Sequence, residues 1–246
     1  MVKKLLFKKI TFLNTSSSEF NQIIEKNGLF TFPAGPTLAN LKIGSEYHNA
    51  LINSNFVFFD SGYFVFLLRF LKNIKVNKFS GYKFLKLLFI FLKKNNSKKI
   101  FLIDPSQNSS KINRIFFNNL GLYNIKNYVS PIYDKNTIND YILLNEIDKF
   151  KPDYLIINLA GGVQEILGLF IKRKADKSFK IICTGGAISY FTGEQAPINK
   201  FVDDFYLGWL YRIIFNPKTF LKRYLKSFKL FKQVYKEDLK VIKDWL

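Results

Sequence analysis

Two glycine pairs and one aspartate carry most of the chemistry this sequence offers. Gly161-Gly162, with Gln164-Glu165 just behind, follows the apolar run Tyr154–Leu159 and opens a helical pattern. Gly185-Gly186 follows a second run, Lys180–Thr184. Glycines at strand-to-helix turns let backbone N–H groups approach a phosphate at a helix N-terminus. Glycine is equally the default residue of any tight corner. Two such pairs on apparently neighbouring strand ends point to a phosphate or sugar-nucleotide pocket. Asp60 closes the run Phe56–Asp60, where a carboxylate either takes the proton of a hydroxyl or caps the helix expected from about Gly62. Asp104-Pro105 ends another run and reads as a donor contact or a simple turn. Cys183 and His48 are the single cysteine and the single histidine, which excludes a disulfide framework and a Cys/His zinc site. Cys183 reads as a core residue and His48 as a surface or capping one. No Walker loop, GxGxxG, GxSxG or HExxH is present.

The elements that must hold these residues follow from the pattern of apolar runs. Leu29–Pro33, Phe56–Asp60, Lys99–Asp104, Tyr123–Ser130, Tyr154–Leu159 and Lys180–Thr184 read as short buried strands. Helical periodicity fills the gaps: roughly Thr37–Asn53, Tyr63–Asn73, Gly81–Lys94, Ser109–Leu120, Asn136–Phe150 and Gln164–Lys174. That alternation predicts an α/β fold with a doubly wound, mostly parallel, Rossmann-like sheet. Its ligand crevice falls at the strand ends marked by Asp60, Asp104 and Thr184. After about Asn199 the pattern predicts helices and no further strand. The expected organisation is therefore an α/β domain over 1–199 and a helical appendage over 200–246.

The chain carries 38 Lys+Arg against 18 Asp+Glu over 246 residues, a formal charge of +20. Such an excess calls for nucleic acid, anionic lipid or a phosphate-bearing substrate as partner, unless it is compositional drift. From Lys218 onward, Lys218, Lys222, Arg223, Lys226 and Lys229 alternate with Phe220, Leu221, Leu225, Phe228 and Leu230. That tail reads as a docked terminal helix with a solvated lysine face, as a membrane-surface helix, or as a nucleic-acid binder. No run reaches the roughly 20 apolar residues of a membrane span. The first ten residues lack the apolar core and cleavage site of a signal peptide. The expectation is a cytoplasmic protein, peripheral on the inner face of the membrane.

Pro152–Tyr224 resembles a known family. Pro152-Asp-Tyr-Leu-Ile-Ile-Asn-Leu-Ala-Gly-Gly-Val-Gln-Glu165 is similar to a strand leading into a Gly-x-Pro-Lys-Gln-Glu turn. Thr184-Gly-Gly-Ala-Ile-Ser-Tyr-Phe-Thr-Gly193, then Ala196-Pro197, resembles that family's Gly-rich turn, aromatic stretch and Arg-Ala-Pro. Trp209-Leu-Tyr-Arg-Ile-Ile-Phe-Asn-Pro-Lys-Thr-Phe-Leu-Lys-Arg-Tyr224 resembles its terminal signature. These are marks of the WecG/TagA/CpsF glycosyltransferases, and the likeness spans about residues 28 to 226.

The resemblance implies an inverting glycosyltransferase. It would move a sugar, of N-acetylmannosamine or another hexose type, from a UDP-sugar to a polyprenyl-diphosphate-linked sugar in cell-surface polysaccharide assembly. It implies no metal and no cofactor, an anionic membrane surface as partner, no nucleic acid, and allows self-association. Catalysis falls on Asp60 as base, with Thr31 matching the Thr of a Thr-x-Asn whose Asn is here Pro33. Substrate binding falls on Gln164, Gly161, Gly162, Gly185, Gly186, Arg212 and Arg223. Departures from the pattern are Gly162-Val163 for Pro-Lys, Ser189 for an Asp, Gln195 for an Arg, and Gly208 for a Glu. A diverged member that binds nucleotide sugar or lipid diphosphate without turnover is the alternative reading. A basic nucleic-acid-binding protein is the other.

Overall fold

The computed structural model describes residues 3–175, 178–195 and 225–242. Nine strands form one sheet among these residues: β1 (Lys4–Phe7), β2 (Ile10–Leu13), β3 (Gly28–Thr31), β4 (Phe56–Phe58), β5 (Ile100–Asp104), β6 (Ile125–Val129), β7 (Tyr154–Ile157), β8 (Lys180–Cys183) and β9 (Lys240–Ile242). Their order is β6-β5-β7-β8-β3-β4-β2-β1-β9. From β6 to β2 every pairing is parallel, and β1 joins β2 and β9 antiparallel. The fold is the α/β, mostly parallel architecture that the alternating pattern predicts.

The helices are α1 (Phe20–Ile24), α2 (Gly35–Ala39), α3 (Glu46–Ile52), α4 (Gly62–Lys72), α5 (Gly81–Lys94), α6 (Gln107–Asn119), α7 (Tyr141–Phe150), α8 (Val163–Lys174), α9 (Ser189–Thr192) and α10 (Lys229–Lys236). Successive strand residues face opposite sides. Phe30, Phe58, Leu102, Ile156 and Ile182 therefore pack with α1, α5 and α6. Leu29, Phe101, Ile103, Leu155 and Ile157 pack with α7 and α8 on the other face. That second face continues over Leu5, Phe7, Phe12, Val57 and Phe59, under α2, α4 and α10. The start of α5 shows why these helices begin where they do. The Ser80 hydroxyl accepts the Lys83 N–H, and Lys93 and Lys94 lie in the last turn against the helix dipole.

Several expectations need correction. The hairpin β1–β2 is missing from the sequence reading because each strand has only four residues and its turn is Lys8-Lys9. Both lysines take positive φ (49° and 62°), where hairpins ordinarily use Asn or Gly. Contacts hold Lys8 there: its N–H donates to Glu237 Oε1 at 3.2 Å and its ammonium to Gln233 Oε1 at 2.8 Å. The predicted helix Thr37–Asn53 is two helices, broken at Gly44 (φ 83°). The helix expected from Asn136 begins at Tyr141, capped by Asp140. His48 is buried, not superficial: Nδ1 accepts the Gly44 N–H at 3.1 Å and Nε2 bonds the Lys8 carbonyl at 2.8 Å.

The tail also differs from the helices-only expectation. Within 225–242, α10 buries Leu230 and Val234 completely, and β9 closes the sheet against β1. Lys240-Val-Ile242 was hidden by its lysine-rich surroundings. The 199/200 boundary and the residues 196–224 lie outside the described residues.

Candidate active site at the carboxyl edge of the sheet

Helices that leave β7 and β3 cover one face, whereas the turn after β8 sends Ala187 and Ile188 to the other. The chain therefore parts around the end of β8, the place where open α/β sheets hold ligands. Both glycine turns border that gap. Gly162 has φ 93° and Gly185 φ 60°, so a side chain at either would be strained. At Gly185 a Cβ would also stand 3.3 Å from the Leu159 carbonyl oxygen. Gly161 packs beside Thr37 of α2, and Gly186 is exposed.

The two turns are joined by side chains. Gly162 N–H donates to Glu165 Oε2 at 2.6 Å, and Gln164 Nε2 donates to Glu165 Oε1 at 3.0 Å. Gln164 Oε1 accepts the Gly185 N–H at 2.7 Å. The Cys183 thiol donates to the Gln164 carbonyl at 3.3 Å. The glycine N–H groups expected to face a phosphate are thus turned inward at Gly162 and Gly185. A residue able to accept at the third helical position, Glu165, supplies the reason. Burial pushes the Glu165 carboxyl up to about 7, against its three hydrogen bonds, with the Asp60 charge adding to the rise. The residue pattern alone assigns Glu165 no role at the site. Its burial was the missing information.

Asp60 stands at the end of β4 and accepts the Gly81 N–H at 3.0 Å, which ties it to the start of α5. The capping of α4 belongs to its neighbour: the Ser61 hydroxyl accepts the Phe64 N–H. Thr31 lies inside the sheet, 0% exposed, with its hydroxyl 3.4 Å from the Phe56 carbonyl as donor. The structure therefore brings Asp60, Gln164, Gly161, Gly162, Gly185 and Gly186 to one edge and seats Thr31 just beneath it. Arg212 and Arg223, with the whole stretch Trp209–Tyr224, lie outside the described residues.

Two further features lie along this edge, of which only Asp104 is marked in the sequence. Lys135, in the loop before α7, places its ammonium 3.8 Å from the point where a Gly162 side chain would begin. No local pattern marks that lysine. Asp104 is buried at the end of β5 and accepts from Asn113, Asn158 and Asn127 at 2.7, 2.8 and 2.9 Å. Asn113 Oδ1, Asn158 Oδ1 and the Thr184 hydroxyl are buried with no hydrogen-bond partner among the described residues. The described residues contain no group of three or more His, Cys, Asp or Glu side chains arranged to hold a metal.

The family model for the glycosyl transferase WecG/TagA/CpsF family matches residues 6–243, from β1 to the end of β9. The chain belongs to this family. No curated protein matches it. As a WecG/TagA/CpsF member it is a glycosyltransferase, of a class that joins a nucleotide-sugar donor to a lipid-linked acceptor in polysaccharide assembly. The match includes α10 and β9, so the terminal segment that seals the sheet is part of the family unit. No helix among the described residues is long and apolar enough to cross a membrane.

Proposed function

We propose that the protein is an inverting transferase that moves a hexose-type sugar from a UDP-sugar to a polyprenyl-diphosphate-linked sugar. The reaction is a single in-line displacement. Asp60 takes the acceptor proton as the new glycosidic bond forms and the bond to UDP breaks. The Gly81 N–H holds its carboxylate in place. Gln164 and the glycine turns shape the donor pocket, and Thr31 supports the β3 end from within the sheet. Arg212 and Arg223 meet the diphosphate of the departing UDP with charge-assisted hydrogen bonds, joined by Lys135 from the loop above Gly162.

The observation that carries this reading is the meeting of Asp60 and the Gln164–Glu165 pair at one sheet edge, close enough that Asp60 raises the Glu165 carboxyl. Binding at the inner membrane face is supported by a patch shared by α4 and α10. Phe66 and Phe70 stack at 5.7 Å on the open side of α4. Phe228 meets Tyr63 edge-on, and Lys229, Lys232 and Lys236 are exposed beside it. Aromatic rings ringed by lysines suit an anionic lipid surface.

A second reading, donor binding without turnover, is favoured by the charges this chain lacks at Val163, Ser189 and Gln195 relative to the family pattern. One experiment separates the two. The protein is offered a panel of UDP-sugars with a short-chain polyprenyl-diphosphate sugar, and products are read by mass spectrometry. Transfer from one donor supports the enzyme; donor binding with no product from any supports the binder.

A further inference from the structure

Glu165 has no part in the displacement, yet it sits at the junction of both glycine turns and is 1% exposed. Its two oxygens hold the Gly162 N–H and the Gln164 side-chain NH2. Gln164 has thereby committed its nitrogen to Glu165, so its oxygen is the atom left to receive the Gly185 N–H. A relay of bonds runs from the turn after β7, through two side chains, to the turn after β8. An amide presents its oxygen on one side and its nitrogen on the other, never both on both. The observed orientation needs an acceptor at Glu165. A donor there turns the amide over and sets an NH2 group against the Gly185 N–H, where no bond can form.

We propose that Glu165 is a positioning residue for donor binding: as a carboxylate it fixes the Gln164 amide and through it locks the Gly185 turn, and taking up a proton releases that turn. The functional half of this inference rests on the UDP-sugar reading above; the lock itself does not. The surroundings make the proton uptake accessible near neutrality. Burial brings the carboxyl to about 7. Tyr47 from α3 and Cys183 from β8 face it, and both are pushed up by burial and by Glu165 itself, so they stay neutral. Asp60 adds negative charge from the end of β4. Among the described residues, the Lys135 ammonium stands beside Gly162.

The test is read without any ligand first. Backbone amide exchange at Gly162 and Gly185 is followed by NMR from pH 5.5 to 8.5, corrected for the intrinsic rate. In the parent protein, protection at Gly185 should rise about tenfold or more across a midpoint near 7. Glu165→Gln should leave Gly185 poorly protected at every pH. Gln164→Leu should do the same at Gly185 while Gly162, still bonded to Glu165, remains protected; this keeps the test valid should the first variant fail to fold. UDP affinity by calorimetry over the same range should follow the Gly185 curve in the parent and be weaker and flat in Glu165→Gln. Flat protection in the parent, or a Gly185 signal unchanged by both substitutions, overturns the lock. Flat UDP affinity beneath a working lock overturns its link to donor binding. The exchange curve without UDP binding at any pH upholds the lock and instead overturns the UDP-sugar reading.

Discussion

Asp60 and Glu165 are two carboxylates at one sheet edge with different surroundings and different consequences. Asp60 is half-buried and accepts the Gly81 N–H. Asp60→Asn keeps that hydrogen bond and removes the proton acceptor. Turnover should fall roughly 10²–10⁴-fold with UDP affinity and thermal stability nearly unchanged; near-normal turnover removes Asp60 from the mechanism. Glu165 acts on stability as well. Its folded carboxyl titrates at about 7 against an ordinary 4.5. The folded state therefore holds the proton more tightly than the unfolded one. Its contribution is complete below about 4.5 and is lost as pH rises to about 7, a change of roughly 3 kcal/mol. Urea unfolding at pH 5 and pH 8 should show that fall in the parent and a smaller one in Glu165→Gln. Equal falls would mean that Glu165 is not the buried acid responsible. The placement of Asp60, Gln164 and the glycines at the sheet edge was legible in the sequence because strand ends and glycine turns leave a local mark. Glu165 and Lys135 were not: their roles depend on burial and on a loop folding back, neither of which spacing records.

At the scale of elements, the central strands were read correctly because each is a near-continuous apolar run, buried on both faces. The hairpin strands and β9 escaped because each is only three or four residues long amid flanking lysines, and β9 pairs with a strand remote in sequence. α10 is docked, as one of the tail readings has it, and the membrane proposal rests on its open side. One side buries Leu230 and Val234; the other exposes Phe231, Tyr235, Lys229 and Lys232. The two sides are separable by mutation. Lys229→Glu with Lys232→Glu should weaken binding to anionic vesicles at least tenfold, since each basic residue near such a surface contributes about 1 kcal/mol. Phe66→Ser with Phe70→Ser, on α4, should weaken binding to anionic vesicles further without unfolding the protein. Co-sedimentation at several salt concentrations measures both, and equal binding to neutral and anionic vesicles would sink the electrostatic contribution.

For the whole molecule, the decisive feature is that the chain's last described elements complete its first ones. A stop after Asn216 removes more than a surface tail. It uncovers the cluster around Leu5, Phe7 and Phe64, into which Leu230 and Val234 pack, and strips β9 from β1. The expected outcome is loss of cooperative unfolding by circular dichroism, so such a truncation cannot report on membrane binding alone. A truncated protein that melts as sharply as the parent would show that α10 and β9 are dispensable. The sequence suggested a separable appendage because composition changes near Asn199. Composition does not register that Val241 pairs with Leu5 across the sheet.

That pairing also fixes an order of events on the ribosome. Lys3 donates its N–H to the Ile242 carbonyl at 3.0 Å, so the outer edge of β1 is covered by β9, which is synthesised long after it. Joining them closes a loop of more than two hundred residues, a step that brings no reward until β9 has been synthesised. At about 5–20 residues per second, the nascent protein carries an open strand edge for ten seconds or more, roughly, before β9 emerges. The four lysines at 3, 4, 8 and 9 flank that edge. Their mutual repulsion discourages one unfinished chain from pairing with another in the interval, so the charge that obscured the hairpin in the sequence protects it during synthesis.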